Sequence, residues 1–154
     1  MKTNAMRLLD KNKIPYTIYE YDTANGIDGI SVAAKINKPP EMVYKTLITK
    51  GKAEHYCFII PVEFELDLGL AAKAAFEKSI SMIKHGELLS VTGYIKGGCS
   101  PIGQKKKLKT FLDNRCENLD TIIVNVGKIG MQIELAVFDL LAQTGAVSAN
   151  LVDA

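Results

Sequence analysis

The chain has 154 residues, 47% of them apolar and 23% charged, and 19 basic against 17 acidic side chains give a net charge of +2. That is the size and composition of one folded domain spanning 1–154, large enough to bury a core without disulfide or metal staples, which excludes a disordered chain. The near balance of charge neither demands nor excludes a polyanionic partner.

Residues 1–13 carry charges throughout and no apolar signal core. No apolar run approaches the roughly 18 residues of a membrane span. A cytoplasmic protein with no membrane partner is therefore expected. Ala5, Leu8 and Leu9 have helical spacing, and Asn12, Lys13 and Pro15 predict that the helix ends there. Residues 16–21 are rich in Tyr, Thr and Ile and predict a strand. Residues 22–29 hold an Asn-Gly and an Asp-Gly pair and predict a loop. Ser31 reads as the cap of a helix to Ile36, stopped by Asn37, Pro39 and Pro40.

Residues 44–49 and 56–61 predict two strands joined by a polar turn. The alanine-rich stretch 66–76 predicts a helix, and 83–89 is open between a helical turn and a loop. Residues 90–95 predict a strand, 96–103 a loop, and 110–112 and 121–126 two more strands. A turn at 127–130 leads to a strand at 131–135 and a helix at 138–144, ended by Gly145. Short strands mixed with short helices, without regular alternation, predict an α+β (mixed α/β) fold.

The three cysteines, Cys57, Cys99 and Cys116, are widely spaced and form no CxxC pair. Neither they nor His55 and His85 have a metal-site pattern, so no metal and no cofactor is expected. The loop from Lys96 to Lys109 is the most informative stretch. It holds Lys96, Lys105, Lys106, Lys107 and Lys109, no acid, and Gly97, Gly98 and Gly103. Glycines let backbone approach a ligand, and successive N–H groups form an anion nest or an oxyanion hole. The lysines suit phosphates, though a solvated lysine run explains them equally well. Lys45 sits in the apolar stretch Val43-Tyr44-Lys45-Thr46-Leu47-Ile48. A lysine on a face shared with Val43 and Leu47 needs a partner or a task, unless it snorkels to water. No nucleophilic triad is visible, since Gly98-Cys99-Ser100-Pro101 does not meet GxSxG. Gly127 and Gly130 bracket a turn, and Tyr21 ends the first strand where its hydroxyl can orient a ligand.

The blocks Val43-Tyr44-Lys45-Thr46-Leu47, Gly93-Tyr94-Ile95-Lys96-Gly97-Gly98-Cys99-Ser100-Pro101-Ile102-Gly103-Gln104-Lys105-Lys106 and Gly127-Lys128-Ile129-Gly130-Met131-Gln132-Ile133-Glu134-Leu135 resemble the YbaK/EbsC family. Its members are free-standing relatives of the editing domain of bacterial prolyl-tRNA synthetases. The resemblance covers nearly the whole chain, and the branch most resembled is the Cys-tRNA(Pro) deacylases. It implies one domain with a mixed, mostly antiparallel β-sheet flanked by short helices. It implies a trans-editing hydrolase that cleaves the ester of mischarged tRNA, Cys-tRNA(Pro) and also Cys-tRNA(Cys), with aminoacyl-tRNA and prolyl-tRNA synthetase as partners. In the cysteine-specific branch the substrate's own thiol takes part, so a cyclising, lyase-like step is a further outcome. Matched position by position, the resemblance assigns catalysis to Lys45, Gly98 and Ser100, and substrate binding to Tyr21, Thr46, Gly97, Cys99, Pro101, Gly127 and Gly130. With a tRNA as substrate, the lysine run then reads as tRNA binding through Lys105, Lys106 and Lys107. Departures from the family pattern fall at Cys99, Asn125, Val126, Ile129 and Gln132. The competing class is a binding module that captures aminoacyl-tRNA or a synthetase without chemistry, and a third is a thiol enzyme using Cys99.

Overall fold

A computed structural model describes residues 2–24 and 26–153, and the backbone alone of His85. Asn25 of the Asn-Gly pair and the His85 side chain lie outside the described residues. The first half of the chain runs α1 (Asn4–Lys11), β1 (Thr17–Glu20), α2 (Gly29–Lys35), β2 (Tyr44–Lys50), β3 (His55–Pro61) and α3 (Leu68–Ala75). The second half runs β4 (Ser81–Met82), α4 (His85–Thr92), β5 (Lys109–Asp113), β6 (Thr121–Asn125), β7 (Met131–Ala136), α5 (Val137–Thr144) and β8 (Val147–Ala149). Two 3₁₀ turns, Pro40–Met42 and Asn114–Asn118, precede β2 and β6.

The strands form two sheets. One is antiparallel, in the order β1-β7-β6. The other is mixed, in the order β4-β2-β3-β5-β8, with β3-β5 and β5-β8 parallel and the rest antiparallel. A bridge between Val43 and Ile123 joins them. The α+β class with a mostly antiparallel mixed sheet is the one expected, divided here between two sheets. Strand β3 explains why the larger sheet is covered on both faces. Its sequence HYCFIIP is apolar after the first residue, and every position from Tyr56 to Pro61 is buried. Cys57 and Ile59 belong to one core cluster, with α1 and β6–β7; Tyr56, Phe58 and Ile60 belong to a second, with α3.

Four local expectations are corrected. The α2 cap is Asp28, not Ser31: the Asp28 carboxylate accepts the Ser31 N–H at 3.1 Å and the Ser31 hydroxyl at 2.7 Å. Ser31 is thus the reading partner of the cap and sits inside the helix. Residues 90–95 are not a strand, because α4 runs to Thr92 and stops on Gly93, whose φ of 82° makes it a left-handed C-cap. β-Branched Val91 and Thr92 and the aromatic Tyr94 imitate a strand there, but the Thr92 hydroxyl bonds back to the Leu88 carbonyl as helical residues do. The helix expected from residue 66 starts at Leu68, capped by Asp67, whose carboxylate accepts the Leu70 N–H. Strands β4 and β8 are too short for a periodic pattern and were not expected. Leu151, just past β8, fixes the end of the chain by donating its N–H to the buried Asp113 carboxylate at 3.0 Å.

One edge of β2 positions the site. Val62 N–H donates to the Val43 carbonyl, and the register sets Lys45 opposite Ile60 and Leu47 opposite Phe58. Antiparallel bonding alternates, so Lys45 and Leu47 turn their backbone groups toward β3. Tyr44, Thr46 and Ile48 turn theirs the other way, where the Ile48 carbonyl accepts the Ile83 N–H at 3.4 Å. β6 meets this outer edge at Val43, and β4 meets it at Thr49 and Lys50. Between those two contacts the edge around Thr46 opens into a cavity.

Candidate active site

The cavity has a volume of about 370 Å³. Its walls are the β2 edge, the segment leading into α2, the residues from Met82 to Lys84, the loop after α4, and Asn125 and Gln132. The start of α2 is held in the cavity wall by packing. A Cβ on Gly29 would stand 2.2 Å from Val62 Cγ1, so the start of α2 lies directly on that side chain. The Lys35 ammonium donates to the Gly26 carbonyl at 2.7 Å and pins the segment from the far end.

The loop after α4 is shaped by two glycines. Gly97 has φ 84°, a left-handed conformation that any side chain resists, and a Cβ there would reach to 2.9 Å from Ile27 Cδ1. A Cβ on Gly98 would stand 3.1 Å from the Ile129 nitrogen and 3.3 Å from the Lys128 carbonyl carbon. The loop therefore lies backbone on backbone against the 127–130 turn. Asn125 stitches the two together. Its amide donates to the Gly97 carbonyl at 3.0 Å and the Lys128 carbonyl at 3.3 Å, and its Oδ1 accepts from the N–H groups of Gly127 and Lys128.

Three lysines line the cavity, Lys45, Lys84 and Lys96. Lys45 shares a sheet face with Leu47, its side chain is 28% exposed, and its ammonium lies 3.7 Å from the exposed Glu65 carboxylate. The one acid lining the cavity among the described residues is Asp28, whose carboxylate the Ser31 hydrogen bonds hold below its ordinary pKa. Among the described residues five polar side-chain atoms are buried without a partner, and three of them, Tyr44 Oη, Thr46 Oγ1 and Gln132 Oε1, belong to residues that line the cavity. Cys99 lines it too, but burial pushes its thiol up to about 12. A thiol so placed stays protonated and is a poor nucleophile.

The structure brings Lys45, Thr46, Gly97 and Cys99 together around one space, with Gly98 behind them. The other assigned residues lie outside this lining. Gly98 does not aim its N–H at the cavity; it donates to the Ile95 carbonyl at 3.0 Å and closes a turn. The Ser100 side chain is fully buried, its Oγ accepts the Ile102 N–H at 3.1 Å, and Ser100 and the buried Pro101 lie outside the lining. Gly127 makes room for the Tyr94 ring, since a Cβ there would stand 2.6 Å from Cε1. Tyr21 donates its N–H to the Gly130 carbonyl at 3.0 Å, and its buried hydroxyl has no partner among the described residues. Lys105, Lys106 and Lys107 are exposed and away from the lining.

Sequence reading missed Asn125 and Gln132 as members of the site. The signal was present: each is a polar residue in an apolar strand, at mirrored distances from one turn, and the ladder pairs them.

Residues 25–142 match the family model for an aminoacyl-tRNA editing domain. An Enterococcus faecalis protein with the provisional name Cys-tRNA(Pro)/Cys-tRNA(Cys) deacylase EbsC is 41% identical over 152 residues, covering 97% of this chain and 93% of that protein. The proline–tRNA ligase of Staphylococcus haemolyticus is 26% identical over 110 residues, which cover 71% of this chain and 19% of the ligase. A solved structure provisionally described as a trans-editing enzyme for prolyl tRNA synthetase superposes with a TM-score of 0.88 at 22% identity, covering 100% of this chain and 99% of that one.

Proposed function

The chain belongs to the aminoacyl-tRNA editing domain family, and we propose that it is a deacylase that hydrolyses the ester between cysteine and tRNA, with Cys-tRNA(Pro) and Cys-tRNA(Cys) as substrates. The observation that carries this reading is the meeting of the Lys45–Thr46 edge with the Gly97–Cys99 loop around one small cavity. Its volume falls at the lower end of small-molecule sites. That suits an amino acid and the sugar that carries it. The 41% identity over nearly the whole chain supports the choice of cysteine.

An aminoacyl ester is already activated, so cleavage needs positioning and stabilisation of the developing oxyanion more than a protein nucleophile. Among the described residues no histidine or glutamate lines the cavity, and the reading asks for none. Lys45 places a compact positive charge beside the carbonyl or the terminal phosphate. The N–H of Cys99, next along the loop from the committed Gly98, faces the carbonyl oxygen. Thr46 Oγ1 and Gln132 Oε1 accept from the substrate's ammonium. Attack by water forms the new C–O bond, breaks the ester C–O bond, and returns the leaving oxygen to the tRNA as a hydroxyl. Binding alone separates small side chains by only about 1–3 kcal/mol per methylene, which is why a separate hydrolytic site serves translation. The tRNA preference and a prolyl-tRNA synthetase partner are part of the same proposal.

Purified protein with a panel of mischarged tRNAs, each with and without prolyl-tRNA synthetase, tests it. The expected result is release of free cysteine from Cys-tRNA(Pro) and Cys-tRNA(Cys). Binding of these tRNAs with no faster release than in buffer would mean a binding module and would end the enzymatic reading.

A further inference from the structure

A second hollow, of about 570 Å³, lies on the other side of β4 from the cavity. Ser81 lines the hollow, and its neighbour Met82 lines the cavity. The same strand therefore forms the ridge between them. Phe76 stands in the hollow with 98% of its surface exposed. It occupies the C-cap of α3 with φ 58°, the left-handed conformation that glycine takes most cheaply. The fold gains no buried surface from this ring and carries a backbone cost to present it. Around it stand the exposed lysines Lys50, Lys52 and Lys78. None of the three forms an ion pair among the described residues. The acid in the hollow is Glu77, and its carboxylate is engaged by the Tyr56 hydroxyl and the Lys52 N–H.

We propose that this hollow is a nucleic-acid subsite, in which a base of the single-stranded 3′ end of a tRNA stacks on Phe76 while neighbouring phosphates meet Lys50, Lys52 and Lys78. An open aromatic face among cations is the chemistry of a sequence-tolerant base platform. Protein–protein contact surfaces, by contrast, are depleted of lysine. Continuity along β4 supplies the geometry: an ester in the cavity leaves the preceding nucleotides at the ridge, beside the ring. The inference rests on the reading that the cavity takes an aminoacyl-tRNA.

The test uses the full chain and uncharged tRNA(Pro), with the dissociation constant measured across a salt series. Phe76→Ala is expected to weaken binding about ten-fold or more, since stacking on one base is worth that much, and Phe76→Trp is expected to restore it. Replacing Lys50, Lys52 and Lys78 by Ala is expected to flatten the logarithmic salt slope by roughly two units, at ~0.7 per single-strand contact. Hydrolysis of a cysteinyl-adenosine ester, which ends before the hollow, is expected to be unchanged in all these variants. Wild-type affinity and salt slope in both the Ala variants would overturn the subsite. So would loss of synthetase binding with tRNA binding intact, which would make the hollow a protein contact. Failure of the wild type to cleave the minimal ester is a separate result and strikes the deacylase reading instead.

Discussion

Asn125 and Gln132 face each other across the β6–β7 ladder, and both line the cavity, yet the protein uses up only one of them. Asn125 spends both ends of its amide on the backbone of two loops. Gln132 keeps a buried oxygen with no partner among the described residues. Buried polar atoms are nearly always paired, so an unpaired one on a residue that lines a cavity is a candidate for a partner supplied by a ligand.

The two residues should therefore fail differently. Asn125→Ala strands the Gly97 carbonyl and the Gly127 and Lys128 N–H groups, and should cost roughly 2–4 kcal/mol of stability as well as activity. Gln132→Leu removes no hydrogen bond the free protein makes. It should melt near the wild-type temperature and lose about ten-fold or more in kcat/KM, at ~1.4 kcal/mol for one lost hydrogen bond to a charged group. Thermal melts beside kinetics on both variants check this. A Gln132→Leu enzyme with unaltered kcat/KM would remove Gln132 from the site.

Lys45→Ala should leave the fold intact. Its ion partner Glu65 is 94% exposed, and such pairs add little stability. Activity should fall by about 10²-fold or more, the scale of losing one preorganised electrostatic group. Lys45→Arg should also fail, because a planar fork does not replace a compact ammonium in a cavity this size. Both the tRNA substrate and a minimal cysteinyl ester should show the loss. Near wild-type turnover in Lys45→Ala would take the residue out of the mechanism.

The glycine loop gives a graded pair. Gly97→Ala meets the tip of the Ile27 side chain and a left-handed backbone, and should cost about 1–2 kcal/mol. Gly98→Val meets backbone on the facing turn, which cannot step aside, and should be worse in both stability and turnover. Melting temperature and turnover on the soluble fraction separate the effects. If both variants are less stable but equally active per folded molecule, the loop is a turn and nothing more.

Cys57 and Cys99 hold their protons to about 12 because burial disfavours the thiolate. An unfolded thiol releases its proton near 8.5. Between those values the folded chain binds more protons than the unfolded one, so stability falls as pH rises. The full contribution is present below about pH 8.5 and drains away above it. Urea midpoints from pH 7 to 10 should decline, and a Cys57→Ala, Cys99→Ala double variant should show a shallower decline on a lower baseline. At pH 8 the native thiols should resist alkylation, and Cys99→Ala should keep most of its deacylase activity. Loss of activity in Cys99→Ala beside retention in Lys45→Ala would favour a thiol enzyme.

Part of the candidate site was legible because residues in it break the pattern of their own elements. Lys45 is a charge in an apolar strand, and Gly97 and Gly98 are adjacent glycines beside a lysine run. Such contrasts survive in one dimension. Asn125 and Gln132 are also polar residues in apolar strands, but their meaning depends on a ladder that pairs them across a turn, which one dimension does not display. Ser100 reads as chemistry in the motif, and in the fold its hydroxyl accepts the Ile102 N–H, a local use that a motif does not display. In the fold, the long apolar run of β3 declared itself. β4 has two residues and β8 three, and pairing with β2 and β5 makes them strands rather than any propensity of their own. The stretch 90–95 misled because β-branched residues end a helix that Gly93 closes.

Lys105, Lys106 and Lys107 pose the last question, because the structure leaves them outside the cavity while the sequence assigns them to tRNA. All three are exposed. The backbone under them is fixed, since the N–H groups of Lys105 and Lys106 donate to the Thr92 and Val91 carbonyls at the end of α4. The side chains thus project from an anchored segment, and α4 itself contributes Leu88 to the cavity wall. Charges held this way can meet phosphates of the tRNA body at little ordering cost. If they do, each neutralised phosphate releases condensed counterion, and affinity falls steeply with salt. Lys105→Ala with Lys106→Ala should then flatten the salt slope on intact tRNA by roughly one to two units, at ~0.7–0.9 per contact. Cleavage of a cysteinyl-adenosine ester should not change, because that substrate has no tRNA body, and Lys45→Ala should impair both. Combining the double variant with the three-lysine variant at the Phe76 hollow should give additive slope changes, since the two groups lie on separate segments. An unchanged slope in the double variant means that this run only solvates the surface, and the tRNA contact then falls to the hollow.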